Sequence, residues 1–120
     1  VPIFILKKNV VLITLRPMDF SFVLEESLSK IFVLVEKHRL KVSLIQSSAV
    51  SISICVDNSR YLHDAIDELS NEFSVSYNEN LELLTIRGRT NKAIEQTTQK
   101  RDILLKQLTR RNARFLMKEK

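Results

Sequence analysis

With 120 residues, 44% hydrophobic and 28% charged, the chain is long enough for one compact domain or two small intertwined ones, and too apolar for disorder. A single glycine, Gly88, excludes the phosphate-cradling loops of nucleotide-binding folds, which need several glycines so that backbone N–H groups reach phosphate. One cysteine, Cys55, excludes an internal disulfide framework and fits a reducing, cytoplasmic setting; with only His38 and His63 beside it, no structural zinc site can be assembled.

Residues 3–6 form a short apolar strand behind Pro2, and Lys7, Lys8 and Asn9 are expected to break it from a second strand at 10–15, VVLITL. That apolar run is far below the roughly 20 residues of a membrane span. The start lacks an initiator Met, a basic leader and a cleavage site, and is expected to be a cut from a longer chain. Arg16 and Pro17 end the second strand.

From about 22 to 38 the pattern turns helical. Leu24, Leu28, Ile31, Phe32 and Val35 make one stripe, with Glu25 and Glu26 at the start and Lys37, His38 and Arg39 at the end, as the helix dipole favours. Asp19 or Ser21 is the expected cap. His38 and His63 are read as solvated rather than catalytic, and Cys55 as a packed side chain.

Residues 41–57 are expected to be two strands, 41–45 and 49–57, joined by a polar corner of Gln46, Ser47 and Ser48. Val50, Ile52, Ile54 and Val56 alternate with Ser51, Ser53 and Cys55, the period of a half-buried strand; Val42 and Leu44 share a face opposite Ser43. Asn58 or Ser59 caps a second helix with Leu62, Ala65, Ile66 and Leu69 inward. Phe73, Val75 and Tyr77 mark another strand, and Asn78, Glu79 and Asn80 a turn. Residues 10–77 therefore spell strand, helix, strand, strand, helix, strand: an α+β, ferredoxin-like βαββαβ plait.

The tail begins the same order again with a strand at 81–87, a helix at 91–99 and strands at 103–108 and 114–117 around Thr109, Arg110, Arg111 and Asn112. This second module is incomplete, and an uncovered sheet edge is a liability. The orphan strand at 3–6 is expected to complete it. Residues 87–120 carry 11 Lys/Arg against 3 Asp/Glu, whereas residues 1–86 carry 8 against 11. Three function classes follow: a purely structural dimerisation module, an RNA-binding plait, or a ligand sensor. RNA-binding plaits stack bases on strand aromatics, and the central strand here offers Ser51, Ser53 and Cys55 instead.

The sensor class gains from a resemblance. VVLITLRP, the helix ending Ile31-Phe32, the strand at 42–45, Ser48-Ala49-Val50-Ser51, and LELLTIR at 81–87 resemble, in order and spacing, the tandem ACT domains at the C-terminal end of aspartokinases. The resemblance implies a first ACT domain at 10–80 inserted into a second made of 1–9 and 81–120. It implies allosteric feedback control of aspartate-family (lysine, threonine, methionine) biosynthesis, a homodimer through the first ACT domain, and a small amino-acid effector. The fragment itself would hold no catalytic residue and no cofactor; ATP and Mg would belong to a kinase domain preceding Val1. Neither nucleic acid nor membrane is an expected partner. By the same resemblance, the effector-binding candidates are Met18, Asp19, Ser21, Phe22, Val23, Val42, Ser43, Gln46, Ser47 and Ser48. The start of the first helix supplies N–H groups for a carboxylate, and backbone carbonyls and serine hydroxyls supply acceptors for an ammonium. Ser43 and Ala49 stand where lysine-responsive members often carry Asp and Glu, and Glu26 where many carry Gly.

Overall fold

The computed structural model describes residues 1–19, 24–88 and 90–119. The elements, in order, are β1 (Ile3–Pro17), α1 (Leu24–Lys37), β2 (Val42–Ser47), β3 (Ile52–Asp57), α2 (Leu62–Leu69), β4 (Phe73–Arg87), α3 (Asn91–Thr98), β5 (Ile103–Leu108) and β6 (Asn112–Lys118). The chain divides into two compact units: Val11–Glu79, and Val1–Val10 with Asn80–Lys120. β1 and β4 are each 15 residues long, so each contributes one half to either unit.

The unit Val11–Glu79 has the strand order β2-β3-β1-β4, that of a ferredoxin-like plait. Val11, Ile13 and Leu15 of β1 alternate onto one face, where they join Ile52, Ile54 and Val56 of β3 and Phe73 of β4. Ile31 and Val35 of α1 and Leu62, Ala65, Ile66 and Leu69 of α2 close over the same face. Fully burying such side chains contributes about 1.5–3 kcal/mol each, which is what holds both helices on the sheet. Phe32, expected in the α1 stripe, is half exposed, and Leu34 packs instead: Phe32 is one step round from Ile31, and the stripe runs through the spacing of three and four. α1 ends in a Schellman motif, with the Leu40 N–H donating to the Val35 carbonyl and the Arg39 N–H to Glu36. Arg39 takes the left-handed position (φ 54°) that a glycine usually fills.

The second unit has the order β1-β4-β6-β5, the same arrangement, with the N-terminal strand supplying the missing member. Val1 reaches the end of β4: its carbonyl lies 3.6 Å from where a Gly88 Cβ would stand, and Gly88 itself is left-handed at φ +68°. Leu84 and Ile86 of β4 pack with Ala113, Phe115 and Met117 of β6, and Ile94 of α3 covers them. The Thr90 hydroxyl caps α3 by accepting from the Ala93 N–H at 3.1 Å.

Several sequence expectations are corrected. Lys7, Lys8 and Asn9 do not break β1, and Asn78, Glu79 and Asn80 do not make a turn; both segments lie inside continuous strands. Asn9 (φ 57°) and Asn80 (φ 61°) absorb a local left-handed twist of the backbone, which asparagine tolerates. Gln46 and Ser47 are not a corner either. They pair with Ser53 and Ile52, and the turn falls at 48–51, where the Ser48 N–H donates to the Ser51 carbonyl at 2.8 Å. Val50 is consequently exposed. A bulge between Val42 and Leu44 breaks their shared parity: Val42 and Ile45 pack on the helix side, while Leu44 is buried elsewhere. The turn leading into α2 is capped by Ser59, as expected: its carbonyl accepts from the Leu62 N–H at 3.2 Å and its hydroxyl from the Tyr61 N–H at 3.3 Å, while Tyr61 itself makes no side-chain cap. β6 also runs longer than expected, from Asn112 to Lys118.

Candidate functional site

The end of β1 and the start of α1 form one wall of a cleft of about 190 Å³ in the Val11–Glu79 unit. Pro17 ends the strand and turns the chain, so Met18 and Asp19 lie at its mouth. Glu26, Ser27 and Lys30 enter from successive turns of α1, and Glu72 and Phe73 come from the junction of α2 and β4. Lys30 Nζ donates to Glu72 Oε2 at 3.1 Å across this cleft, tying α1 to the α2–β4 junction. The lining therefore offers three carboxylates, one ammonium and one hydroxyl. That set matches a small zwitterion: carboxylates for an ammonium, and Lys30 for a carboxylate.

The structure does not gather all the expected site residues here. Met18 and Asp19 are in the cleft. Val42, Ser43, Gln46, Ser47 and Ser48 are not among its lining; they lie along β2, the end strand of the order, and in the turn that follows it. Ser21, Phe22 and Val23 are outside the described residues. Ser48 and Ser51 bond to each other through their hydroxyls at 2.8 Å. Glu26, which with Glu25 and Asp19 is the sequence's alternative source of a carboxylate for the effector's ammonium, is in the cleft; Ser27, Lys30 and Glu72 are binding candidates only in the structure. The α1 pattern places Glu26 and Lys30 one turn apart and so on one side of the helix, but no sequence signal brings Glu72 to them.

Farther along the helices, Glu68 accepts from Lys37 Nζ at 2.6 Å and pairs with His38 Nε2 at 3.1 Å. The hydrogen bond from Lys37, and then that from His38, holds the Glu68 carboxyl below its usual value, against an opposing effect of burial. His38 is thus not the solvated side chain expected: only 14% of it is exposed. His63 is exposed, and Cys55 is fully buried. Among the described residues no helix is long and apolar enough to cross a membrane.

A plait of this order, with a second built on the same two long strands, is a fold shared with solved structures. Among solved structures it is that of aspartokinase regulatory regions. A putative C-terminal regulatory domain of aspartate kinase from Porphyromonas gingivalis W83 superposes with a TM-score of 0.83 at 19% identity, over 98% of this chain and 86% of that one. E. coli aspartokinase III in complex with aspartate and ADP (R-state) gives 0.78 at 22% identity, over 96% of this chain and 29% of that one. The same enzyme with lysine and aspartate (T-state) gives 0.70 at 23%, over 94% and 28%. The chain thus spans under a third of the length of the E. coli enzyme it matches. No family model and no curated protein matches the sequence. What these likenesses establish is the fold.

Proposed function

We propose that this chain is the amino-acid-sensing regulatory region of an aspartokinase, giving feedback control of the first step of aspartate-family biosynthesis in the cytoplasm. The observation that carries this reading is the insertion of a complete plait into a second one sharing its two long strands, the architecture of the P. gingivalis and E. coli neighbours. In this reading the region acts without catalytic residues of its own, on the kinase domain of the same enzyme. The T-state neighbour holds lysine and aspartate, which supports a free amino acid as effector.

In this reading the effector's ammonium meets Asp19, Glu26 and Glu72, and its carboxylate meets Lys30 and the first turn of α1. Ser43 and Ala49 supply no charge, and the acidic side of the cleft takes over that role. A second copy, docked through this same unit, brings Val42, Ser43, Gln46, Ser47 and Ser48 to complete the site. Ligand at that interface then favours one dimer arrangement, and a coupling of about 1–3 kcal/mol suffices to throttle the kinase. Calorimetric titration with lysine, threonine and methionine, alongside sedimentation analysis, tests this. Heat from at least one of them on a dimeric protein, reduced by Asp19→Asn, is expected; no heat from any, on a monomer, overturns the proposal.

A further inference from the structure

The second unit carries a different kind of site. Its β4 and β6 strands turn Leu84, Ile86, Ala113, Phe115 and Met117 toward α3, so the alternate positions face the other way: Leu83 and Leu116 are buried along that face, and its end beyond them is polar. Strand register sets these alternates in two rows. Thr85 pairs with Arg114, which also pairs with Gln107; Arg87 pairs with Asn112, whose N–H donates to the Thr109 hydroxyl at 3.0 Å. The six side chains, with Ile5 of β1 at the border, line a cleft of about 610 Å³.

Its chemistry is one-sided. Arg87 and Arg114 are its only charges, and no Asp or Glu lines it among the described residues. They sit diagonally on neighbouring strands, at a separation of about 7–8 Å between backbone positions. Two like charges so placed repel each other, and a bound anion relieves that repulsion. A guanidinium takes two oxygens of one carboxylate or phosphate in its planar fork. The amides of Gln107 and Asn112 and the hydroxyl of Thr85 then donate to the remaining oxygens, while the Thr109 hydroxyl stays bonded to the Asn112 backbone at the rim. No aromatic ring lines the cleft among the described residues, so bases of a nucleic acid have nothing to stack on.

We propose that this polar face of β4, β6 and β5 binds a small dianion, a dicarboxylate or a phosphorylated metabolite, held between Arg87 and Arg114. The site is separate from the Asp19–Lys30 cleft and does not depend on the amino-acid-sensor reading.

The probes are succinate and inorganic phosphate, titrated at low ionic strength into isotope-labelled protein and followed by amide chemical shifts. Saturable shifts at residues 85–87 and 112–114 are expected with at least one probe, and which one binds tighter separates the carboxylate from the phosphate source. Arg87→Gln, at an exposed position, is expected to weaken binding by at least about tenfold, and Arg87→Gln with Arg114→Gln to abolish it. The control, Arg110→Gln with Arg111→Gln at the β5–β6 turn, leaves affinity within about twofold while removing the same charge. Thermal melts of each variant check the fold. Saturation by neither probe, equal loss in the control pair, or binding that survives the double cleft variant overturns the proposal. So does tighter, strongly salt-dependent binding of a single-stranded RNA oligonucleotide by the same arginines, which would make the face a nucleic-acid surface.

Discussion

In the Val11–Glu79 unit two helices cover one face of the strands and the lysine ion pairs stay near the surface; in the other unit the same strand order carries α3 and a nearly buried ion pair. The first has 6 Lys/Arg against 10 Asp/Glu, the second 13 against 4. The lysine ion pairs of the Val11–Glu79 unit, Lys30–Glu72 and Lys37–Glu68, join side chains that are a third to more than half exposed. In the second unit Glu82 of β4 is 6% exposed, lines a cleft with Leu6, Lys8 and Glu119, and pairs with Arg101, which also donates to the Lys118 carbonyl at 2.9 Å. One architecture thus adds mostly exposed ion pairs to an apolar core in one place, and holds a nearly buried charge pair in the other. Strand order does not dictate which.

The largest expected effect tests that difference. Arg101→Met leaves the Glu82 carboxylate buried without its cation, and is expected to cost about 3–5 kcal/mol by urea denaturation. Adding Glu82→Leu is expected to recover most of that loss, because an apolar pair of similar volume carries no desolvation penalty. Lys30→Met, at an exposed pair in the first unit, is expected to cost less than about 1 kcal/mol. Comparable losses at Lys30 and Arg101 would erase the contrast between the units.

Backbone strain gives a middle-sized test. Arg39, at the left-handed end of α1, has no helical reason to be arginine, since glycine takes that position without steric cost. Arg39→Gly is expected to stabilise by about 1 kcal/mol, read as a raised urea midpoint at unchanged slope. Asn80→Ile, at the left-handed residue inside β4 where the division between units falls, is expected to cost about 1–2 kcal/mol. If neither variant moves the midpoint, those backbone angles are not under strain.

What the sequence made legible follows from where a period exists. Alternation at 52–56, and the three-four spacing of Leu24, Leu28, Ile31 and Val35, are direct imprints of a buried face, and they specify the plait. Asn9 and Asn80 were misread because an asparagine beside polar neighbours signals a turn equally well, while pairing to adjacent strands carries the chain straight through. Gln46 and Ser47 were misread for the same reason: their polarity suits an end strand as well as a corner. Contacts between distant side chains leave no such imprint. Nothing local joins Lys30 to Glu72 or Glu82 to Arg101. Arg114 shows both sides of this. Read along the chain it belongs with Arg110 and Arg111 in a basic tail, yet strand parity separates it from them and sets it with Arg87.

The smallest effect concerns Glu68, and its sign follows from the direction of its shift. The Lys37 and His38 hydrogen bonds hold the folded carboxyl below its ordinary 4.5, so the unfolded chain takes up the proton first as pH falls. The resulting stability is fully present above that ordinary value and is lost as pH drops through the depressed one. Wild type is therefore expected to exceed Glu68→Gln by a constant margin at neutral pH, and the two curves to converge in acid. Because the pair with Lys37 is exposed, molar salt is expected to narrow the margin at neutral pH as well. A margin that widens on acidification would mean that Glu68 prefers its protonated form in the fold. The Lys37–Glu68–His38 contact would then be no link between α1 and α2, and the helices of the first unit would depend on their apolar faces alone.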